Sequence, residues 1–125
     1  MRWGLFHYGV DLACPLGTPY YATHSGTVLL AGWDGGFGNA IIMDDGNGIE
    51  TIYGHGSKLL VSTGQHVQAG DLLGLVGSTG FSTGDHLHYE VHVDGKPTDP
   101  IPFMLARGVD IPRHLEAASG ATIVM

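Results

Sequence analysis

Histidine and carboxylate residues recur in this chain at spacings that suit a metal site. Eight of the 125 residues are histidines. His7 precedes Asp11 by four residues, His55 ends a Tyr-Gly-His segment, and His86 and His88 flank a single leucine. Zinc is bound by neutral imidazole and carboxylate, and a catalytic zinc site uses three protein ligands and a water. The set indicates a catalytic metal site, whereas any one of these histidines taken alone fits an ordinary surface residue.

The pair His86 and His88 suggests two different roles at one site. Residues at i and i+2 on a strand share a face, and their backbones are about 7 Å apart. One imidazole can bind a metal while the other handles a proton of the activated water. The spacing does not decide which histidine has which role. A structural zinc site is the alternative, but such sites usually rely on cysteine, and the chain has only Cys14.

Short segments separated by turn residues predict an antiparallel all-β domain around these histidines. A meander is expected first, then two short strands, then a strand carrying the histidine pair. The predicted segments are 26–33, 39–45, 49–55, 65–70, 71–77 and 86–95. A short helix is expected at 101–108, and residues 119–125 show no usable period.

Polar and apolar residues alternate along the segment that carries the pair. The odd positions should face the core: Leu87, Tyr89, Val91 and Val93. The even positions should face solvent or a groove, outside the core: His86, His88, Glu90 and His92. Two interpretations of Glu90 stay open, because it suits both an acceptor for a ligand imidazole and a solvated strand glutamate.

Composition narrows the classes of function. A chain of 125 residues suits one domain, and 21 glycines with 14% charged residues favour many turns. The formal charge of −7, with only five Lys and Arg, argues against nucleic acid or an anionic membrane as partner. No apolar run suits membrane insertion, and the first residues lack the apolar region of a signal peptide. Cys14 is predicted to be a buried thiol rather than a free exposed one.

Several segments together resemble the M23 peptidases, the lysostaphin and LytM type of zinc endopeptidase that cuts peptides of bacterial peptidoglycan. The resemblance runs from about His7 to Pro100. It is carried by "HYGVD", "GGFGNAIIM", "TIYGHGSKL", "GSTGFSTGDHLHYEV" and "GKPTDP". The motifs H-x-x-x-D, Y-G-H and H-x-H occur in the family's order and at its usual separations.

The resemblance implies a role for each motif residue. One zinc ion per chain would be bound by His7, Asp11 and His88, and His55 and His86 would be the catalytic histidines. The implied fold is an antiparallel sheet or sandwich of the LytM (duplicated hybrid motif) type, with a groove-shaped active site. Residues 34–39 and 77–85 would form its walls. Asn39 and Thr83 would contact substrate there, although both also suit ordinary turn positions.

Three features depart from the family's pattern. Asp85 stands where the family often has proline, which would alter the loop or add charge near the metal. Gly56 replaces a usual leucine, so weaker packing behind His55 is expected. Only six residues precede His7. We therefore expect a minimal or excised catalytic domain at 1–108 with a C-terminal tail at 109–125, from a larger hydrolase or a phage tail protein.

The resulting expectation is a zinc metalloendopeptidase that hydrolyses peptide bonds in peptidoglycan stem peptides or cross-bridges. An inactive regulator that binds other wall hydrolases is the alternative, but such relatives have usually lost ligands. The segment 67–78 also resembles a biotinyl-carrier hairpin, yet neither lysine lies in such a motif. The expected location is extracellular, periplasmic or virion-associated.

Overall fold

The fold is almost entirely antiparallel β-structure, as the sequence predicts. In this computed structural model residues 9–80, 82, 84–100, 106 and 122–124 are described. The strands are β1 (Val10–Ala13), β2 (Pro19–Tyr21), β3 (Gly26–Trp33), β4 (Asn39–Gly46), β5 (Ile49–Leu59), β6 (His66–Val67), β7 (Leu72–Val76), β8 (His86–Val93), β9 (Lys96–Thr98) and β10 (Thr122–Val124). The 3-10 turn Gly35–Phe37 joins β3 to β4.

The strands form one branched sheet in the order β10-β1-β8-β5-β4-β3-β6. Strand β5 is one branch point, because it pairs with β4 and β8 and also, near its end, with β7. Strand β7 pairs in turn with β2, and β9 extends the sheet from β8. The predicted meander of β3, β4 and β5 is confirmed, and β5 runs four residues past its predicted end because β7 takes over its pairing.

The core lies on the side of β8 predicted from the alternation. Leu87, Tyr89 and Val91 are at most 2% exposed. The rings of Tyr53 and Tyr89 meet edge to face with centroids 5.1 Å apart, and Tyr20 stacks on Tyr53 at 5.8 Å. Thr23 binds both inner tyrosine hydroxyls through its own hydroxyl, at 3.0 Å from Tyr53 and 2.7 Å from Tyr89. We call Tyr20, Tyr53 and Tyr89 the tyrosine cluster.

Cys14 is buried, as predicted, and its thiol contacts the main-chain oxygen of Leu12 at 3.3 Å. Burial raises the pKa of this thiol. The chain therefore keeps Cys14 as a small buried side chain.

Some predictions fall outside the residues that the structure describes. They are His7, Thr83 and the helix at 101–108, of which only residue 106 is described. Strand β10 lies within the predicted tail and pairs antiparallel with β1. No helix in the described part of the chain has the length and hydropathy needed to span a bilayer.

Candidate active site

Strands β1 and β8 bring the first two candidate ligands together. Asp11 is the direct pairing partner of His88, so their side chains leave the same face of the sheet. Asp11 Oδ1 lies 2.6 Å from His88 Nδ1. A residue of the H-x-x-x-D motif and one of the H-x-H motif, 77 positions apart, therefore meet through sheet register.

Glu90 holds His88 from the other side of its ring. Its Oε2 accepts a hydrogen bond from His88 Nε2 at 2.6 Å, and its Oε1 accepts one from His92 Nε2 at 2.8 Å. The Glu90 side chain is only 12% exposed. The structure thus favours the acceptor role over the solvated one, and places His92 in the same chain of contacts.

Hydrogen bonds between Glu90, His88 and His92 set the pKa values of Glu90 and His88. Burial would raise the pKa of Glu90, but the hydrogen bonds from His88 and His92 hold it below its usual value. Burial would lower the pKa of His88, but the hydrogen bonds to Asp11 and Glu90 raise it overall. Glu90 is therefore an anion at neutral pH, and both ring nitrogens of His88 face carboxylate oxygens.

His88 lies deeper than the alternation implies. It projects from the polar face of β8, but it is 3% exposed and the ring of Phe37 stacks against it at 5.8 Å. His88 thus lies on the predicted polar face, outside the apolar core, but it is buried there because the loop before β4 covers it. A Cβ on Gly54 would lie 3.2 Å from the Phe37 ring, so glycine there allows this cover.

His55 reaches the site through a bulge in β5. Asn39 and Ile41, two apart on β4, pair with Gly56 and Tyr53, three apart on β5, so β5 carries one extra residue. His55 adopts a left-handed conformation there, with φ of 65°. Strict alternation would put His55 on the core face with Tyr53. The bulge instead turns its ring toward His86 and His88.

His55 and His86 form a second pair of imidazoles, with centroids 4.6 Å apart. His55 Nδ1 lies 2.7 Å from the carbonyl oxygen of Thr79, and His86 Nδ1 lies 2.8 Å from that of Gly84. A carbonyl only accepts, so each Nδ1 carries the proton and each Nε2 holds the lone pair in the neutral ring. His86 Nε2 is 3.8 Å from Asp11 Oδ1. Burial lowers the pKa of His55, so its neutral form prevails at pH 7.

Asn39 lies at the predicted groove wall, but its side chain is engaged within the protein. Its Nδ2 donates to the Gly56 carbonyl at 3.2 Å.

The expected weak packing at Gly56 is absent, because an added Cβ would lie 3.2 Å from both Asn39 O and Leu59, and 3.4 Å from the Tyr20 hydroxyl. Asp85 is exposed, and its field contributes to the raised pKa of Cys14.

Two residues near the site carried no sequence signal of their own. Phe37 covers His88, and Thr79 binds His55. Both lie in the glycine-rich segments predicted as groove walls. The sequence thus predicted these segments, but not which of their residues contact the histidines.

The described donors fit a zinc ion. Asp11 Oδ1 and His88 Nδ1 converge as one carboxylate and one imidazole atom, and zinc accepts both types. Glu90 holds the His88 ring at its far nitrogen, an arrangement that carboxylates also make beside zinc-bound histidines. Within the described residues no group of three such side chains forms a complete site. The third predicted ligand, His7, lies outside them.

Known proteins resemble this chain over most of its length. The sequence profile of peptidase family M23 matches residues 5–100. The DD-carboxypeptidase/endopeptidase Mpg of Neisseria meningitidis is 45% identical over 99 residues, covering 79% of this chain and 23% of the relative. The chain thus spans about a quarter of the length of such curated relatives.

Solved structures agree with the sequence relatives. The catalytic domain of lysostaphin from Staphylococcus simulans superimposes with a TM-score of 0.75 at 41% identity, covering 79% of each chain. A zinc-containing peptidase from Vibrio cholerae gives 0.71 at 39% identity, covering 74% of this chain and 28% of that one. This chain belongs to peptidase family M23.

Proposed function

We propose that the chain is a zinc-dependent endopeptidase that hydrolyses peptide bonds in peptidoglycan stem peptides or cross-bridges. One observation carries the proposal: Asp11, His88, His55 and His86, from three strands, converge on one face of the sheet. Membership of family M23 and the zinc content named for the Vibrio cholerae structure support it.

In this proposal one zinc ion per chain is held by His7, Asp11 and His88. Bound zinc would supply Lewis acidity, which lowers the pKa of a water and polarises the scissile carbonyl. The hydrogen bond to Glu90 keeps a proton on His88 Nε2. Nδ1, which lies beside Asp11, would then be the nitrogen that binds zinc. His92 completes the orientation by donating to the other oxygen of Glu90.

His55 and His86 would handle the protons of the reaction. Each is held through Nδ1 by a main-chain carbonyl, and each keeps a lone pair on Nε2. A neutral imidazole can accept a proton from the attacking water and return it to the leaving amine. As an imidazolium the same ring can stabilise the oxyanion formed from the carbonyl. Phe37 helps exclude solvent from His88.

The test is digestion of purified peptidoglycans with different bridge types, followed by mass analysis of the fragments. Wild type should release fragments cut at one type of peptide bond, and metal analysis should find about one zinc per chain. His86→Ala serves as the control for contaminating hydrolases. A folded, zinc-loaded chain that cuts none of the peptidoglycans would support the inactive regulator instead.

We further propose that the chain works outside the cytoplasm, at the cell wall or on a virion. The net charge of −7 gives no attraction to anionic walls, so a separate targeting module or particle is proposed to deliver it. Strong binding of this chain alone to purified walls in moderate salt would contradict that delivery.

A further inference from the structure

Two glycine-rich loops pack backbone to backbone beside the bulge in β5. Loop 34–38 precedes β4, and loop 77–80 follows β7. Gly38 and Gly80 both have positive φ, of 65° and 75°. A Cβ on Gly38 would overlap the backbone of Thr79, and one on Gly80 would overlap the backbone nitrogen of Gly38. The loops therefore approach more closely than residues with side chains would allow.

The Thr79 hydroxyl joins the two strands on either side of that contact. It donates to the Gly56 carbonyl of β5 at 2.7 Å and accepts the Asn39 main-chain N–H of β4 at 3.1 Å. Asn39 Nδ2 donates to the same Gly56 carbonyl. One side chain thus fixes loop 77–80 to the two strands at the point where the register changes between them, immediately after His55.

The main-chain oxygen of Thr79 is the partner of His55. It accepts from His55 Nδ1 at 2.7 Å. Because a carbonyl has no proton to give, this contact selects the Nδ1–H tautomer and leaves the lone pair on Nε2. The direction of that carbonyl therefore decides which nitrogen of His55 can accept a proton, and where the ring points.

We propose that Thr79 is a positioning residue for His55: its hydroxyl locks loop 77–80 onto β4 and β5, so that its carbonyl holds His55 in the Nδ1–H tautomer. The inference deepens the proposed function, and its kinetic part rests on that function. The tautomer itself does not, since it can be observed without turnover.

The primary experiment compares Thr79→Val with Thr79→Ser by long-range ¹H–¹⁵N NMR of the His55 ring. Valine keeps the shape and loses the hydroxyl, whereas serine keeps the hydroxyl. Wild type and Thr79→Ser should show the Nδ1–H tautomer, and Thr79→Val should show a mixture of both. Thr79→Ala tests the same hydroxyl if the valine variant does not fold.

Kinetics on a cleavable peptide give the second readout. Thr79→Val should lower kcat about tenfold, as expected when a catalytic group is misplaced, with KM and zinc content unchanged. Thr79→Ser should restore kcat. Thr63→Val is the matched control, because the Thr63 hydroxyl also accepts a main-chain N–H, that of Ala31 at 3.0 Å, outside the site.

Two results would overturn the inference. One is a wild-type tautomer in Thr79→Val, whatever its activity. The other is an equal loss of kcat in Thr63→Val, which would show that general destabilisation lowers the rate. A wild-type chain without any peptidase activity would refute the proposed function alone, because the NMR comparison would still test the role of Thr79.

Discussion

Strands β5 and β8 both contribute to two clusters of three rings, one on each face of the sheet, and β2 supplies the third tyrosine ring. The tyrosine cluster is almost fully buried, with Tyr53 and Tyr89 at 0% exposure. The histidine cluster, defined as His55, His86 and His88, pairs with carboxylates and main-chain carbonyls. Apolar contacts on the tyrosine face therefore stabilise the fold, whereas the polar contacts on the histidine face orient the imidazole nitrogens.

Each face also holds a partly buried carboxylate, and the two differ in their hydrogen-bond partners. Glu90, on the histidine side, has both oxygens hydrogen-bonded to imidazoles. Asp45, beside the tyrosine side, accepts from Thr51 through Oδ1, while its buried Oδ2 has no hydrogen-bond partner within the described structure. Hydrogen bonds lower the pKa of Glu90 despite its burial, whereas burial raises that of Asp45 to about 6. Hydrogen-bond partners, more than depth of burial, therefore account for the difference in pKa between the two carboxylates.

The largest expected effect comes from removing His88. His88→Ala should lose bound metal and reduce peptidase activity to background, because it deletes a ligand. The fold should persist, since the tyrosine cluster is untouched. Metal analysis measures the loss of zinc, and near-UV circular dichroism shows whether the fold persists. A variant that keeps one zinc per chain would contradict the ligand assignment.

His86→Ala should separate proton handling from metal binding on the same strand. We expect zinc to stay bound and kcat to fall by about 100-fold to 10,000-fold, the usual contribution of a general acid or base. His66→Ala, at an exposed histidine of β6 outside the site, is the control and should retain full turnover. Loss of zinc from His86→Ala would mean that the two roles of the pair are exchanged.

The bulge gives a stability prediction at His55. A non-glycine residue with φ of 65° is strained, so His55→Gly should be more stable than His55→Ala by about 1 kcal/mol. Both variants should be inactive. Urea unfolding of the two proteins measures the difference. Equal stability would indicate that the left-handed conformation costs little here.

A substitution on the tyrosine face should change stability and leave peptidase activity unchanged. Tyr89→Phe removes the hydroxyl that contacts Thr23 at 2.7 Å, and should lower the free energy of unfolding by about 1 kcal/mol. Turnover and zinc content should be unchanged, because no groove residue is altered. A loss of activity at full stability would show that the two faces are coupled.

Asp45 predicts a pH dependence. Its pKa is about 6 in the fold, against 3.8 as the ordinary value, so the native state binds the proton more tightly. The associated stability is present below pH 4 and is lost as the pH rises through 6. Allowing for partial exposure, wild type relative to Asp45→Asn should gain about 1 kcal/mol between pH 7 and pH 4. A pH-independent difference would contradict the raised pKa.

Sequence patterns foresaw most of the strands and the convergence of the site, for local reasons. Strand β3 has its predicted bounds because turn residues limit it, and the alternation in β8 placed Leu87 and Tyr89 in the core. The roles within the His86 and His88 pair came from resemblance and remain predictions. The motif spacing and the family resemblance together predicted which residues meet, although His7 lies outside the described residues.

What the sequence missed depends on contacts between distant segments. Nothing local marks His55, rather than its glycine neighbours, as the left-handed residue of β5; the extra residue appears only in the pairing with β4. The contact of Gly38 with Gly80 joins positions 42 apart, so neither turn alone reveals it. The strand β10 is too short to show a period.

Strand β1 is flanked on both sides, by β8 and by β10. A slip of one residue in its alignment would have to break both ladders, and it would send the Asp11 carboxylate to the opposite side of the sheet. Strand β10 thus helps fix the register of Asp11, a candidate ligand far from it in sequence. Slow amide hydrogen exchange along β1 would be the signature of that protection.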